Sequence, residues 1–193
     1  AYAAMEAVHQ EAYSLLLETL GKSDDMYREF MDIHAMLEKH EHLSDFNMDT
    51  PFDMAKTMAV YSAFTEGVQL FSSFAILLNY PRHNLMKGMG QIVTWSIRDE
   101  SLHVEGLSQL FRTFMQEHPE LWTDKLKYEI YCAAEKTVEL EDNFIDICFD
   151  KADVPDLTAK EVKEYIRYIA DRRLLGIGMK AIFHSKDNPL PWL

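Results

Sequence analysis

Cysteine is almost missing from this chain, with Cys132 and Cys148 the only two. Two thiols in apolar helical patterns make no disulfide framework, so both are expected to be buried and reduced, in a cytoplasmic compartment. Glycine and proline are also scarce, at 7 and 6 residues. They fall between periodic segments, which excludes a turn-rich β architecture and predicts an all-α fold. Cations are in short supply: 19 Lys and Arg stand against 32 Asp and Glu, a formal net charge of -13. Phosphate backbones and anionic lipid would be repelled over most of such a surface, which argues against nucleic acid and membranes as partners. No uncharged run approaches the roughly 18 residues of a membrane span, and no signal-peptide pattern opens the chain.

What is present is 193 residues, 48% of them hydrophobic, enough for one domain over residues 1–193 with a sizeable core. Residue 1 enters full helical pattern without a cap, and the tail ends without a polar terminus, so the domain is expected to be truncated at both ends. The pattern predicts helices over residues 1–20 and 24–41, a loop over 43–50, and a continuous helix of nearly thirty residues from Pro51 to about Asn79. Thr50, Pro51 and Asp53 mark the start of that long helix. Tyr80-Pro81-Arg82 is expected to break it. Gly88 and Gly90 then suggest tight packing or local distortion ahead of a helix reaching Glu117. A helix over 121–149 places Glu135, Glu139, Glu141 and Asp142 on a solvated or subunit-facing side. Thr158 and Glu161 form a capping box for a helix ending near Leu175. His34, His40 and His42 read as a solvated helix terminus.

The chemistry lies in charges set inside apolar helices. Glu100 and His103 are three apart in Trp95-Ser96-Ile97-Arg98-Asp99-Glu100-Ser101-Leu102-His103, so they project from one face and are able to bind one ion. Glu6 and His9 repeat the spacing, with Tyr13 one turn further along the same face. A third helix carries a lone acid, Glu66, between Phe64 and Leu70. Buried carboxylates need counter-charge, and three of them with two histidines make a di-metal carboxylate site the economical reading. Asp99 reads either as a surface acid paired with Arg98 or, favoured by its place beside Glu100, as a group holding the ring N–H of a ligating histidine.

With these residues in hand, the chain resembles the radical-generating small subunit of class I ribonucleotide reductase. The resemblance rests on Glu6, His9 and Tyr13, on Phe64-Thr65-Glu66-Gly67-Val68-Gln69-Leu70-Phe71, on Asp99-Glu100-Ser101-Leu102-His103, and on Asn188-Pro189-Leu190-Pro191-Trp192. It implies a ferritin-like helical bundle, usually a homodimer, with Glu6, His9, Glu66, Glu100 and His103 holding two iron ions, manganese being the alternative. It further implies that Tyr13 is oxidised to a stable radical, that Asp99 links His9 to a radical path, and that a separate large catalytic subunit reduces ribonucleoside diphosphates. The family draws one more carboxylate and a path tryptophan from an upstream helix, and its large-subunit tail follows the Trp192 motif. This sequence contains none of these, so a separate N-terminal fragment is an expected partner. A ferritin-like ferroxidase or a di-iron monooxygenase would use similar ligands without requiring Tyr13. An all-helical interaction module would need Lys or Arg partners for its buried acids.

Overall fold

The computed structural model describes residues 2–23, 25–43 and 46–193. The expected helix starts at Ala1 and Asp24, and part of the expected 43–50 loop, lie outside the described residues. Eight α-helices follow in order: α1 (Tyr2–Thr19), α2 (Asp25–Asp32), α3 (His34–Leu43), α4 (Pro51–Val60), α5 (Phe71–Arg82), α6 (Lys87–Glu117), α7 (Asp124–Lys151) and α8 (Ala159–Gly176). A π-helical turn, Tyr61–Thr65, continues α4, and a 3-10 turn, Pro119–Leu121, precedes α7. The rod made by α4 and α5 packs with α6, α7 and α8 as a bundle, α1 lies on α6, and α3 lies on α7.

Four-residue spacing builds the core. Leu126, Ile130, Ala134 and Val138 line one face of α7, and Val162, Ile166, Ala170 and Leu174 line one face of α8, all buried. Ala55, Ala59 and Ala63 keep the same spacing on the α4 side with no exposure at all, which lets that rod approach its neighbours closely. The caps form as their residues predict. Thr50 accepts from Asp53 N at 3.1 Å, and Thr158 and Glu161 make the reciprocal box. Beyond α8, the buried Asp171 carboxylate accepts the amides of Ile182, Phe183 and Ser185, each at 2.9 Å, and so fixes the return of the tail.

Several expectations are corrected. The helix over 24–41 is two helices, bent at Ile33, whose amide bonds Phe30 O only three residues back at 3.3 Å. The rod from Pro51 to Asn79 is not continuous α-helix, because the π-helical turn and an irregular stretch over 66–70 interrupt it. Pro81 sits inside the last turn of α5, and the break comes only at His83. Of the two glycine readings, tight packing holds at Gly90, where a Cβ would overlap the Pro81 ring, whereas Gly88 faces open space. α7 begins at Asp124, capped by Thr123, which accepts from Leu126 N at 3.2 Å. Glu135 and Glu139 are exposed as expected, but Glu141 is completely buried and Asp142 is half-buried against Arg167. Cys132 is exposed rather than buried, and Cys148 is half-buried; both are free thiols. Among the described residues no helix is long and apolar enough to cross a membrane.

Candidate metal centre

α6 carries the buried half of the site. Its inward stripe runs Met89, Val93, Ser96, Glu100, His103, Val104 and Phe111, so Glu100 and His103 occupy core positions at only 2% exposure each. α1 lies along this stripe and presents Glu6, His9 and Tyr13 to it. The π-helical turn delivers Glu66 from a third direction.

The side chains converge. His103 Nδ1 stands 3.2 Å from Glu6 Oε1, 3.4 Å from Glu100 Oε2 and 3.6 Å from Glu66 Oε2. His9 Nδ1 stands 3.5 Å from Glu100 Oε1 and 3.6 Å from Glu6 Oε2. Glu6 and Glu100 therefore each turn one oxygen toward His9 and the other toward His103. Two three-residue sets result, Glu6 with His9 and Glu100, and Glu66 with Glu100 and His103, the donor atoms in each lying within 4.8 Å of one another. The His103 side holds one carboxylate more than the His9 side among the described residues.

The electrostatics fit a cation pair. Burial, reinforced by Glu66, Glu6 and Asp99, pushes the Glu100 carboxyl up to about 9. Three carboxylates packed this way repel one another unless protons or cations lie among them. Glu100 Oε2 is buried without accepting a hydrogen bond, and His103 Nε2 is buried without a partner. The ionic contacts of Glu6, Glu66 and Glu100 among the described residues are to His9 and His103. Among the described residues no lysine or arginine forms an ion pair with these carboxylates, as an interaction module would need. Carboxylate and imidazole together suit divalent iron or manganese.

Asp99 touches both His9 and Arg98. Its Oδ2 lies 3.3 Å from His9 Nε2, and its Oδ1 accepts from Arg98 Nε at 3.3 Å. That contact favours a proton on His9 Nε2 and leaves the Nδ1 lone pair directed at Glu6 and Glu100. The Tyr13 hydroxyl donates to Ser96 Oγ at 3.0 Å, and burial raises its pKa. A cavity of about 470 Å³ is bounded by Tyr13, Ser96, His9, Glu100, Phe74 and Leu77. Phe74 is buried there, while Leu70 is 40% exposed.

Two residues near the site, Tyr61 and Tyr2, escaped the sequence reading. Tyr61, in the π-helical turn, lies near enough to Glu66 that burial first, then that carboxylate, pushes its phenol up to about 12. It sits at i-5 from Glu66, a spacing that no α-helical face would bring together. The Tyr2 ring packs against His103 at 4.5 Å between centroids, close enough that a Cβ on Gly106 would collide with its hydroxyl. Glu141, buried outside the site, pairs with Lys39 at 2.5 Å.

Comparison with known proteins decides the family. The model for "Ribonucleotide reductase, small chain" matches residues 1–189. The chain belongs to this family. A protein of Invertebrate iridescent virus 3 assigned as a ribonucleoside-diphosphate reductase small subunit is 41% identical over the whole chain, which spans 56% of it. The ribonucleoside-diphosphate reductase subunit beta of Chlamydia pneumoniae is 32% identical over 97% of the chain, which spans 58% of it. Among solved structures, a Bacillus halodurans protein assigned to class I ribonucleotide reductase superposes with a TM-score of 0.91 at 26% identity, over 99% of this chain and 71% of that one. The dimanganese(II) protein of Streptococcus sanguinis superposes at 0.79 with 25% identity, over 96% of this chain and 64% of that one. The fold is thus the family's ferritin-like helical bundle. The chain spans little more than half the length of the two relatives named first.

Proposed function

We propose that this chain supplies the metal centre and the oxidisable tyrosine of a ribonucleoside-diphosphate reductase small subunit. One observation carries the reading: Glu6 and Glu100 each face both histidines, and Tyr13 opens on the same cavity. Two divalent ions would be held, one by His9 with Glu6 and Glu100, the other by His103 and Glu66 with the same two shared carboxylates. Iron is the expected metal and manganese the alternative, the Streptococcus sanguinis relative being described as dimanganese(II). When bound, the pair supplies the oxidising power, drawn from oxygen, that no side chain has by itself.

The chain's own residues do the rest. Burial disfavours the Tyr13 phenolate, so the phenol stays neutral until its electron and proton leave together. Ser96 holds the hydroxyl in place at 3.0 Å, and Phe74 and Leu77 keep apolar surface beside the ring. Asp99 fixes the His9 ring so that Nδ1 faces the carboxylates. The partners in this reading are a large catalytic subunit, where ribonucleotides lose the 2'-hydroxyl, and a second copy of the chain. A separate segment bringing a carboxylate to the His9 side is a third. The setting is the cytoplasm.

The test is the Tyr13→Phe variant. After Fe(II) and oxygen, the wild-type chain should give a tyrosyl radical by electron spin resonance, below one spin per chain because the His9 side holds one carboxylate fewer than the His103 side among the described residues. Tyr13→Phe should keep the metal content and lose that signal. A radical surviving in the variant, or metal lost together with the radical, contradicts the role. A ferroxidase or monooxygenase would give no radical in either protein.

A further inference from the structure

The segment that delivers Glu66 is held by two cations that touch no part of the metal centre. In the π-helical turn Glu66 N bonds Tyr61 O at 3.0 Å and Gln69 N bonds Phe64 O at 3.1 Å, both five residues back. Phe71 N then turns to Val68 O at 3.0 Å, which leaves the Gly67 carbonyl without the backbone donor a regular helix would give it. Regular bonding resumes where Phe74 N meets Leu70 O at 2.9 Å. The carbonyls in between find side chains instead. Arg173 Nε, from α8, donates to Gly67 O at 3.0 Å, and Lys39 Nζ, from α3, donates to Gln69 O at 2.7 Å.

Both cations sit in built surroundings. The Lys39 side chain is 12% exposed, lies 4.5 Å from the Phe144 ring centroid and pairs with the fully buried Glu141, which also accepts the Ser72 hydroxyl. Arg173 lies 5.2 Å from the Phe71 ring centroid. A Cβ on Gly67 would strike Ala63 O and come within 2.9 Å of Arg173 Nε, so the close approach needs glycine. Burying a Lys–Glu pair is a poor way to gain stability, since apolar residues of similar volume do as well or better. The Gln69 amide adds a further cost, being 2% exposed with neither its oxygen nor its nitrogen hydrogen-bonded. These costs gather around the carbonyls of Gly67 and Gln69, in the stretch that begins with Glu66.

We propose that Lys39 and Arg173 are positioning residues of the metal centre, holding the carbonyls of Gln69 and Gly67 so that the chain stays out of regular α-helix and Glu66 stays turned toward His103. The inference rests on the metal-binding reading above. Without the clamps the segment regularises, and removal of the extra residue in the turn rotates one side of the rod against the other by about 100°. That rotation carries Glu66 away from the His103 side and leaves Glu6 and Glu100 in place.

The test separates positioning from stability. In Lys39→Met/Glu141→Leu both buried charges are removed together, so neither is stranded, but the donor to Gln69 O is gone. Glu141→Gln alone keeps Lys39 and its donor. Mn(II) titration followed by electron spin resonance, with thermal unfolding and amide hydrogen exchange over residues 67–74 of the metal-free proteins, gives the readouts. Expected is a folded double variant with faster exchange in that stretch and an ion on the His103 side bound about tenfold or more weakly. Glu141→Gln should keep wild-type Mn(II) affinity whatever it does to stability. Unchanged Mn(II) affinity in both variants, whatever their unfolding temperatures, is the result of a purely structural pair and overturns the inference. Arg173→Met repeats the test at Gly67 O, and unchanged affinity there overturns it equally should the double variant fail to fold. Failure of the wild-type chain to bind two ions would instead count against the metal reading itself.

Discussion

Glu100 is the residue on which the two halves of the site meet, one oxygen toward each histidine. Its carboxyl, pushed up to about 9 first by burial and then by Glu66 and its other acidic neighbours, holds a proton at neutral pH when no ion is bound. A divalent ion must displace that proton, so metal uptake should release acid and tighten as pH rises toward 9. Adding Mn(II) to the metal-free chain in weak buffer near neutrality, with a pH indicator, should show the release. Uptake without any proton released would mean that Glu100 is already ionised and that the site is more open than its 2% exposure indicates. The linkage has a definite sign. A folded value above the ordinary 4.5 means that the group favours folding below that value and loses the contribution as pH rises through about 9. The metal-free chain should therefore gain more in unfolding temperature from Mn(II) at pH 8 than at pH 6. At Glu66, substitution by Ala should cut metal stoichiometry, because the His103 side loses its own carboxylate. Unchanged binding would exclude Glu66 as a ligand. The His9 side has no such carboxylate among the described residues, and added acetate should strengthen binding there.

At the scale of elements, the approach of α5 to α6 is set by Gly90 against the Pro81 ring. Gly90→Ala should lower stability by about 1–3 kcal/mol through overpacking. Gly88→Ala, in open space on the same helix, should raise it by up to about 1 kcal/mol. Equal shifts in unfolding temperature for the two variants would show that the contact yields freely. The sequence disclosed those elements whose signals are local. The caps at Thr50 and Thr158 and the Glu-x-x-His spacings on α1 and α6 each involve neighbours on one helix, and each is found where its residues predict. The π-helical turn was not legible, because one extra residue across Tyr61–Thr65 hardly disturbs the hydrophobic period of the rod around it. Nor was the fate of Glu141 legible. Its spacing reads as one more acid on a charged helix, and only the fold brings Lys39 and Ser72 to it from two distant elements. Tyr61 escaped for a related reason, since the five-residue turn from Tyr61 O to Glu66 N is what sets the two side by side.

On the scale of the whole molecule, the buried core lies among the α4–α5 rod, α6, α7 and α8 and takes no buried residue from α1. Yet α1 provides Glu6, His9 and Tyr13, so the site depends on an element held mainly against α6. The outer face of this pair carries Val8, Leu15, Trp95 and Leu102, each more than half exposed, beside a molecule of formal net charge -13. Loading the centre should tie α1 down, because Glu6 and Glu100 would then share ions across the α1–α6 contact. Amide exchange in α1 should slow with Mn(II) while exchange in α7 stays constant, and equal protection of both would mean that the ion acts only through overall stability.

The central claim is that five residues, from α1, α6 and the irregular stretch between α4 and α5, hold two ions close together through Glu6 and Glu100. Electron spin resonance of the Mn(II)-saturated chain tests it directly. The account predicts two ions per chain and the broadened spectrum of a spin-coupled pair, lost in Glu100→Ala. A simple six-line spectrum of isolated Mn(II) at saturation, or a coupled spectrum that persists in Glu100→Ala, would contradict it.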